Sequence, residues 1–355
     1  MAAFTTIDDP SAYFQVKLYT GTGATQSITN DGNSNLKPDF VWIKTRSVAH
    51  WHNLFDSSRG ATKLVFSNST NNEVTRSTSL TSFNTDGFTV GADTVGTDVN
   101  GLNRTHVAWQ WKANGGSTSS NTAGTITSTV QVNTTAGLSI ITWTGTGSVG
   151  TIGHGLGVAP TFLIVKNRTT TLDFAVYHKN MTDAGYTLQI NSDDGQLDSG
   201  TNRWNHTSPT SSVIHIGAGQ QTNQSSNNML CYAFAEKKGY SKFGKYVGNS
   251  STDGPFVYTG FKPAFVLQKQ ISNNGNGWFI TDSRRDPFNA ATGKYLRADE
   301  AGAEGTTSKI LDLLSNGFKV RNSDSALNGS GHTYIYMAFA ENPFTTSTGV
   351  PACAR

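Results

Sequence analysis

The residues able to do chemistry are few and widely spread. His50-Trp51-His52 places two imidazoles on one face of any strand that carries them, a spacing able to grip a metal ion. Zinc sites take three or four ligands, and no third of suitable type is evident. Asp56 with Arg59, and again Asp282 with Arg284, sets an acid beside a base in an Asp-Ser-(x)-Arg element. Because the element recurs at matching places, an end-of-strand turn or salt link is the better reading. Gly145-Thr146-Gly147-Ser148-Val149-Gly150 fits the letters GxGxxG and follows a strand-like run. A dinucleotide site also needs a helix whose N-terminal amides receive the pyrophosphate, and His154-Gly155-Leu156-Gly157-Val158-Ala159-Pro160 cannot form one. The stretch therefore reads as a turn. HExxH, EF-hand and GxSxG patterns are missing, and the chain offers no unique pair of acids for glycosidic cleavage. The expectation is a non-enzyme with no catalytic residue, cofactor or metal.

Arg203-Trp204-Asn205-His206 stands apart, in a polar stretch where a core tryptophan is less expected. A Trp flanked by Asn, His and Arg suits a sugar-stacking or partner-binding tip, and these four residues form the candidate ligand site. The competing reading folds Trp204 back onto its own sandwich.

The elements that would position such residues are repeated. Pro38-Asp39-Phe40-Val41-Trp42-Ile43-Lys44 returns as Pro160-Thr161-Phe162-Leu163-Ile164-Val165-Lys166 and as Pro263-Ala264-Phe265-Val266-Leu267-Gln268-Lys269. A proline followed by a nearly unbroken apolar run predicts a strand covered on both faces. An aromatic-x-Gly turn recurs upstream at Tyr19-Thr20-Gly21, Trp143-Thr144-Gly145 and Tyr246-Val247-Gly248. A closing strand recurs downstream at Val107-Ala108-Trp109, Tyr232-Ala233-Phe234 and Met337-Ala338-Phe339. The lysines ending the proline-led runs are 122 and 103 residues apart, and the other landmarks keep those offsets within three residues. Asp86-Gly87-Phe88 matches Asn316-Gly317-Phe318, whereas the middle copy has Ser212-Val213-Ile214 and lacks the turn glycine. Trp51 is aligned with Phe174 and Trp278, and the middle copy also lacks the aspartate of the Asp-Ser-(x)-Arg element.

The fold expected is all-β: three tandem antiparallel β-sandwiches with almost no helix. Residues 1–13 form an N-terminal arm, and the sandwiches span 14–113, 136–238 and 239–344. A Gly/Ser/Thr-rich linker with room for one strand fills 114–135, and 345–355 is a tail.

Charged residues are 14% of the 355, well below an average soluble domain, so Gly, Ser, Thr and Asn must supply the polar surface. A net charge of +3 without a basic run excludes a nucleic-acid-tracking surface, and no apolar run is long enough to span a bilayer as a helix. Met1 to Asp9 lacks the basic and apolar regions of a signal peptide, so release by lysis or within a particle is expected. Two cysteines, Cys231 and Cys353, make no disulfide framework. Cys231 reads as a small buried hydrophobe.

Several of these motifs resemble tandem-repeat structural proteins of marine bacteriophages, including cyanophages. The motifs are Ser11-Ala12-Tyr13-Phe14, Leu18-Tyr19-Thr20-Gly21, Phe40-Val41-Trp42-Ile43-Lys44 and Phe55-Asp56-Ser57-Ser58-Arg59-Gly60. Gly239-Tyr240-Ser241-Lys242-Phe243-Gly244, Asp253 through Phe261, and Tyr334 through Glu341 complete the set. The resemblance covers about residues 11–344 and implies SPRY- or lectin-like sandwiches in a virion protein of the tail (fibre, tip or baseplate) that attaches to the host. The partners expected are other virion proteins, further copies in a homo-oligomer, preferably a trimer, and a host-surface glycan or protein. A capsid decoration or head-fibre protein is the first alternative, and a polysaccharide depolymerase the second.

Overall fold

The computed structural model describes residues 5–93, 96–286, 289, 292–308 and 310–351, and Cys353 lies outside them. The all-β expectation holds: strands in antiparallel sheets make up nearly all the regular structure, with two single-turn helices and one 3-10 turn among the described residues. The proline-led strands are Phe40–Thr45, Phe162–Asn167 and Phe261–Gln270. Each lies between the closing strand of its copy (Thr105–Trp111, Asn228–Phe234 or Thr333–Pro343) and the strand that follows it (Asn53–Asp56, Ala175–His178 or Phe279–Asp282). Across the closing strand comes the one that runs into the aromatic-x-Gly turn: Phe14–Thr20, Leu138–Thr144 or Ser241–Val247. Three six-stranded sheets thus share one central order. Pro38 and Pro160 precede their strands. Pro263 instead sits inside its strand at a shift of register, where its missing N–H disturbs the ladder least.

The linker expected over 114–135 is partly sheet. Ser119–Asn121 and Ser128–Asn133 add two strands to the edge of the second sheet. Small sheets cover one face of the first and third large sheets: Gln26–Ile28, Phe88–Val90 and Leu80–Phe83 in one, Phe256–Tyr258, Gly317–Val320 and Leu311–Leu314 in the other. The copy without the turn glycine keeps only Gly150–Gly153 and Val213–Ile216 there. Period-two alternation then divides each central strand. Val41 and Ile43 face the small sheet with Phe55, Phe88 and Ala108, whereas Phe40 and Trp42 face the other way.

That other face is where the copies meet. Trp111, Phe234 and Phe339 sit opposite Phe40, Phe162 and Phe265 in their ladders, so they are equivalent residues. Their rings touch one another at centroid separations of 6.3, 5.6 and 5.9 Å, closing a triangle. The largest buried cluster accordingly draws on all three copies. Each sheet has a second apolar face, and it is covered chiefly by those of the other two sheets.

The same cyclic order recurs in the backbone. Glu73 N–H donates to Arg168 O at 3.0 Å, Gln196 N–H to Ile271 O at 3.0 Å, and Glu304 N–H to Arg46 O at 2.8 Å. The last contact joins the third copy to the first and closes the ring.

Two of the three junctions are ionic. Arg59 donates to the Asp56 carboxylate at 2.5 Å and to Glu73 at 3.0 Å, and Arg168 of the next copy holds Glu73 with bonds of 2.8 and 2.9 Å. Tyr232 OH donates to Asp56 at 2.8 Å. At the junction of the third copy with the first, Arg285 donates to Asp282 at 2.5 Å, Arg46 holds Glu304 at 2.8 and 2.9 Å, and Trp109 Nε1–H donates to Asp282 at 3.0 Å. The partner of Asp282 is thus Arg285, three residues on as in Asp56/Arg59, and not Arg284, which is exposed and pairs with Asp31. Both links are salt bridges at strand ends, as expected, yet Asp56, Arg59, Asp282 and Arg285 are wholly buried at their side chains. At the remaining junction every member is uncharged: His178, Met181, Gln196 and Ile271 take the four places. Neutral His178 accepts from Asn180 N–H at 3.0 Å and its Nε2 lies 3.3 Å from Tyr336 O, while burial pushes its pKa down to about 3.

Two outcomes follow from this geometry. Phe234→Ala opens the centre of the shared core and lowers stability by about 3–5 kcal/mol. Denaturant unfolding of that variant stays a single transition across fluorescence and circular dichroism, where separable beads would shift only part of the signal. Glu304→Gln takes the carboxylate from Arg46, while Arg285 keeps Asp282, and costs about 3 kcal/mol, whereas the concerted set D282H/R285M/E304Q/R46I copies the neutral junction and unfolds closer to wild type than E304Q does.

Candidate functional site

The side chains with unusual electrostatics come first. Lys44, Lys166 and Lys269 end the proline-led strands, are buried, and donate only to main-chain carbonyls among the described residues. Lys44 Nζ reaches Thr45 O at 2.7 Å and Val48 O at 3.3 Å. Lys166 reaches Thr70 O of the preceding copy at 2.9 Å and also Leu172 O, and Lys269 reaches Asp193 O at 2.8 Å and also Asn276 O. Burial pushes all three ammonium groups down to about 8. Lys166 and Lys269 thus each clamp their copy to the one before it, whereas Lys44 is held by carbonyls of its own copy.

The two histidines of His50-Trp51-His52 do not converge. His52 is buried and its Nδ1 accepts from Trp42 Nε1–H at 2.9 Å; its pKa falls well below normal through burial and then through Lys44 and Arg285. His50 Nδ1 accepts from the Trp51 N–H at 2.9 Å. It is also His52, four residues before Asp56, that occupies the place of Phe174 and Trp278, which stand four before His178 and Asp282. Trp51 packs on Phe66 instead, at a ring separation of 4.4 Å. Among the described residues no three His, Cys, Asp or Glu side chains come together as a metal-binding group.

The GxGxxG stretch is a turn, and its copies explain it. A Cβ on Gly21, Gly145 or Gly248 would lie 2.2, 2.1 or 2.3 Å from a facing main-chain oxygen. The three turns are held by buried Asn100, Asn223 and Asn328, each accepting one turn N–H at 2.9 Å and donating to a turn carbonyl at 2.6, 2.6 and 2.7 Å. These side-chain bonds fix the loops at the ends of the sheets.

The tetrad Arg203-Trp204-Asn205-His206 is placed differently from an exposed tip. Trp204 is 1% exposed and packs edge-on to Tyr177 at 5.8 Å, so the indole face that stacking would need is already covered. The correction has a plain cause: Asn205 and His206 both take left-handed backbone conformations (φ 48° and 50°), and the tight turn folds Trp204 inward. Arg203 and Asn205 remain half-buried, and His206 is exposed 3.5 Å from Asp183.

An open cleft of about 380 Å³ lies elsewhere, where Glu236 to Lys242 passes Tyr258, Gly260 and Phe344. Tyr258 is 59% exposed and Phe256, two residues before it on the same strand, 47%, while Val257 between them is buried. The Tyr258 ring leans over Gly260, whose Cβ would stand 3.6–3.8 Å from it. Glu236 Oε1 accepts from Lys179 and from the Phe243 N–H, and its Oε2 is 3.6 Å from the Lys242 ammonium. Neither aromatic stood out in the sequence, because each falls in an ordinary strand pattern. The available signal was their departure from the repeat.

The lysine clamps carry a pH signature. Below pH 8 folded and unfolded chains both keep these protons and the cost of burying charge is fully present. Between about 8 and the unfolded value of 10.5 the folded chain releases protons that the unfolded chain retains, so stability rises with pH. Denaturation midpoints measured from pH 8 to 9, below the range where buried tyrosines oppose the effect, increase, and Lys269→Met removes about a third of that slope.

No curated protein and no solved structure matches the chain. A family model described as a domain of unknown function, DUF7483, matches residues 9–343, spanning all three copies and both ends of the ring as one unit. The chain belongs to the DUF7483 domain family.

Proposed function

We propose that this chain is a non-enzymatic bacteriophage virion protein of the tail, in a fibre, tail tip or baseplate, that attaches to the host surface through loops on its β-sandwiches. The observation that carries this reading is the closed ring of three sheets built by one chain. Such a body holds three sets of end loops in fixed relation, each turn pinned by its own buried asparagine, and recognition loops work best on a rigid scaffold. The motif resemblance to marine-phage structural proteins, with SPRY- or lectin-like sandwiches, points the same way. The polar, weakly charged surface suits contact with other virion proteins and with a host glycan or protein. Self-association into a symmetric oligomer, a trimer by preference, multiplies weak contacts into firm attachment. On this reading the protein is made in the host cytoplasm and leaves in the particle at lysis.

Antibody-gold labelling of intact particles tests the placement, and competition for adsorption tests the role. Label on the tail, with purified protein reducing phage adsorption to cells at least tenfold, is the expected result. Label on the shell would move the protein to capsid decoration, and unlabelled particles would overturn the virion reading.

A further inference from the structure

The repeat serves as an internal control for what the fold requires. Gly87 and Gly317 sit at one structural position, since a Cβ on either would strike the carbonyl oxygen of Ile28 or Val257. Ile28 and Val257 are therefore equivalent, and so are their neighbours: Ser27 with Phe256, and Thr29 with Tyr258. In the middle copy Ile152 pairs with Ile214 as Val257 pairs with Phe318, which puts Thr151 and Gly153 at the same two places. The first copy thus exposes Ser27 and Thr29, and the third exposes two aromatic rings on the same outer face. The sheet forms without them. Neither ring stacks on another among the described residues, and the two together present adjacent apolar surface to water.

We propose that Phe256, Tyr258 and the cleft beside them bind a neutral or N-acetylated pyranose of a surface glycan. The inference rests on the attachment reading above and names the ligand class. A pyranose has one face of C–H groups and a rim of hydroxyls. The exposed Tyr258 ring, backed by Gly260, offers a flat apolar platform for the first. Glu236 Oε2 and the Lys242 ammonium, 3.6 Å apart and too far to satisfy each other by a hydrogen bond, offer an acceptor and a donor for the second. The strand Phe256–Tyr258 is an edge strand, so its outer main-chain groups also face the ligand. The cleft sets Glu236 among Lys238 and Lys242, so a polyanion lying along it would meet a carboxylate as well as ammonium groups, a conflict that an uncharged sugar avoids. At three residues the edge is too short for a peptide to bind mainly by strand addition. Phe256 lies roughly 7 Å along the strand from Tyr258 and extends the platform to a second sugar unit.

The test uses the full chain on an immobilised panel of hexose and N-acetylhexosamine oligosaccharides, beside sulfated and uronic-acid glycans. The variant F256S/Y258T installs the residues of the first copy. The expected result is wild-type binding to uncharged members, a drop of at least tenfold in the variant, and an unchanged unfolding midpoint. Failure to bind any uncharged member, preference for the anionic ones, or equal binding by the variant overturns the proposal. Because particle labelling and adsorption are read separately, tail-located protein that ignores sugars sinks only this inference. A sugar-binding protein missing from particles sinks only the virion placement.

Discussion

The contact among Trp111, Phe234 and Phe339 governs the structure. Each proline-led strand is apolar on both faces, and a small sheet of its own copy can cover only one of them. The second face must be covered by something, and in this chain it is covered by its two counterparts. That requirement accounts for the closed ring better than any single polar link does, because hydrophobic burial scales with area and the shared cluster is the largest in the molecule. It also explains the buried lysines. A strand that runs between two covered faces ends where bulk water is scarce, so its terminal ammonium must find carbonyl oxygens of its own or of the preceding copy.

The ionic junctions show how such a ring diversifies. Asp56, Arg59, Glu73 and Arg168 are kept together, as are Asp282, Arg285, Glu304 and Arg46, and at the third junction all four charges are gone. A half-satisfied buried network is worse than either a complete one or none, so intermediate combinations are the costly states. The missing aspartate of the middle copy is therefore not decay. His178 still accepts a main-chain N–H through Nδ1, as the aspartates do, and still reaches the neighbouring closing strand, but without charge.

Much of the architecture was legible in the sequence because it rests on local pattern. Two-face burial of the proline-led runs, the alternation of Val107, Trp109 and Trp111 against Ala108, and the aromatic-x-Gly turns all come from residues close together in the chain. The ring was not legible, since Arg46 meets Glu304 across a sequence separation of 258 and an apolar face does not say what covers it. Alignment on tryptophan also misled. Trp51 and Trp278 share a residue type but not a position, and the one-residue slip passed on to Arg284, where the true partner of Asp282 is its neighbour Arg285. Spacing was the better guide than identity, since Asp56 and Arg59 already stand three apart.

The candidate site shows where repeat comparison succeeds and where it needs help. Recurrence marks what the fold demands: the turn glycines, the buried asparagines and the clamped lysines appear three times and have structural work in each copy. Departure from the repeat is necessary for a special role but not sufficient. Trp204 has no counterpart, yet it lies in the core, because an insertion must bury its own apolar residues before it can offer any to a ligand. Phe256 and Tyr258 meet both conditions, since they depart from the repeat and remain exposed although serines and threonines serve the same strand positions in the first copy. Two aromatic rings kept in water side by side, at places where hydroxyl residues would do, are something the fold does not impose, and that is the ground on which a binding role for the cleft is proposed.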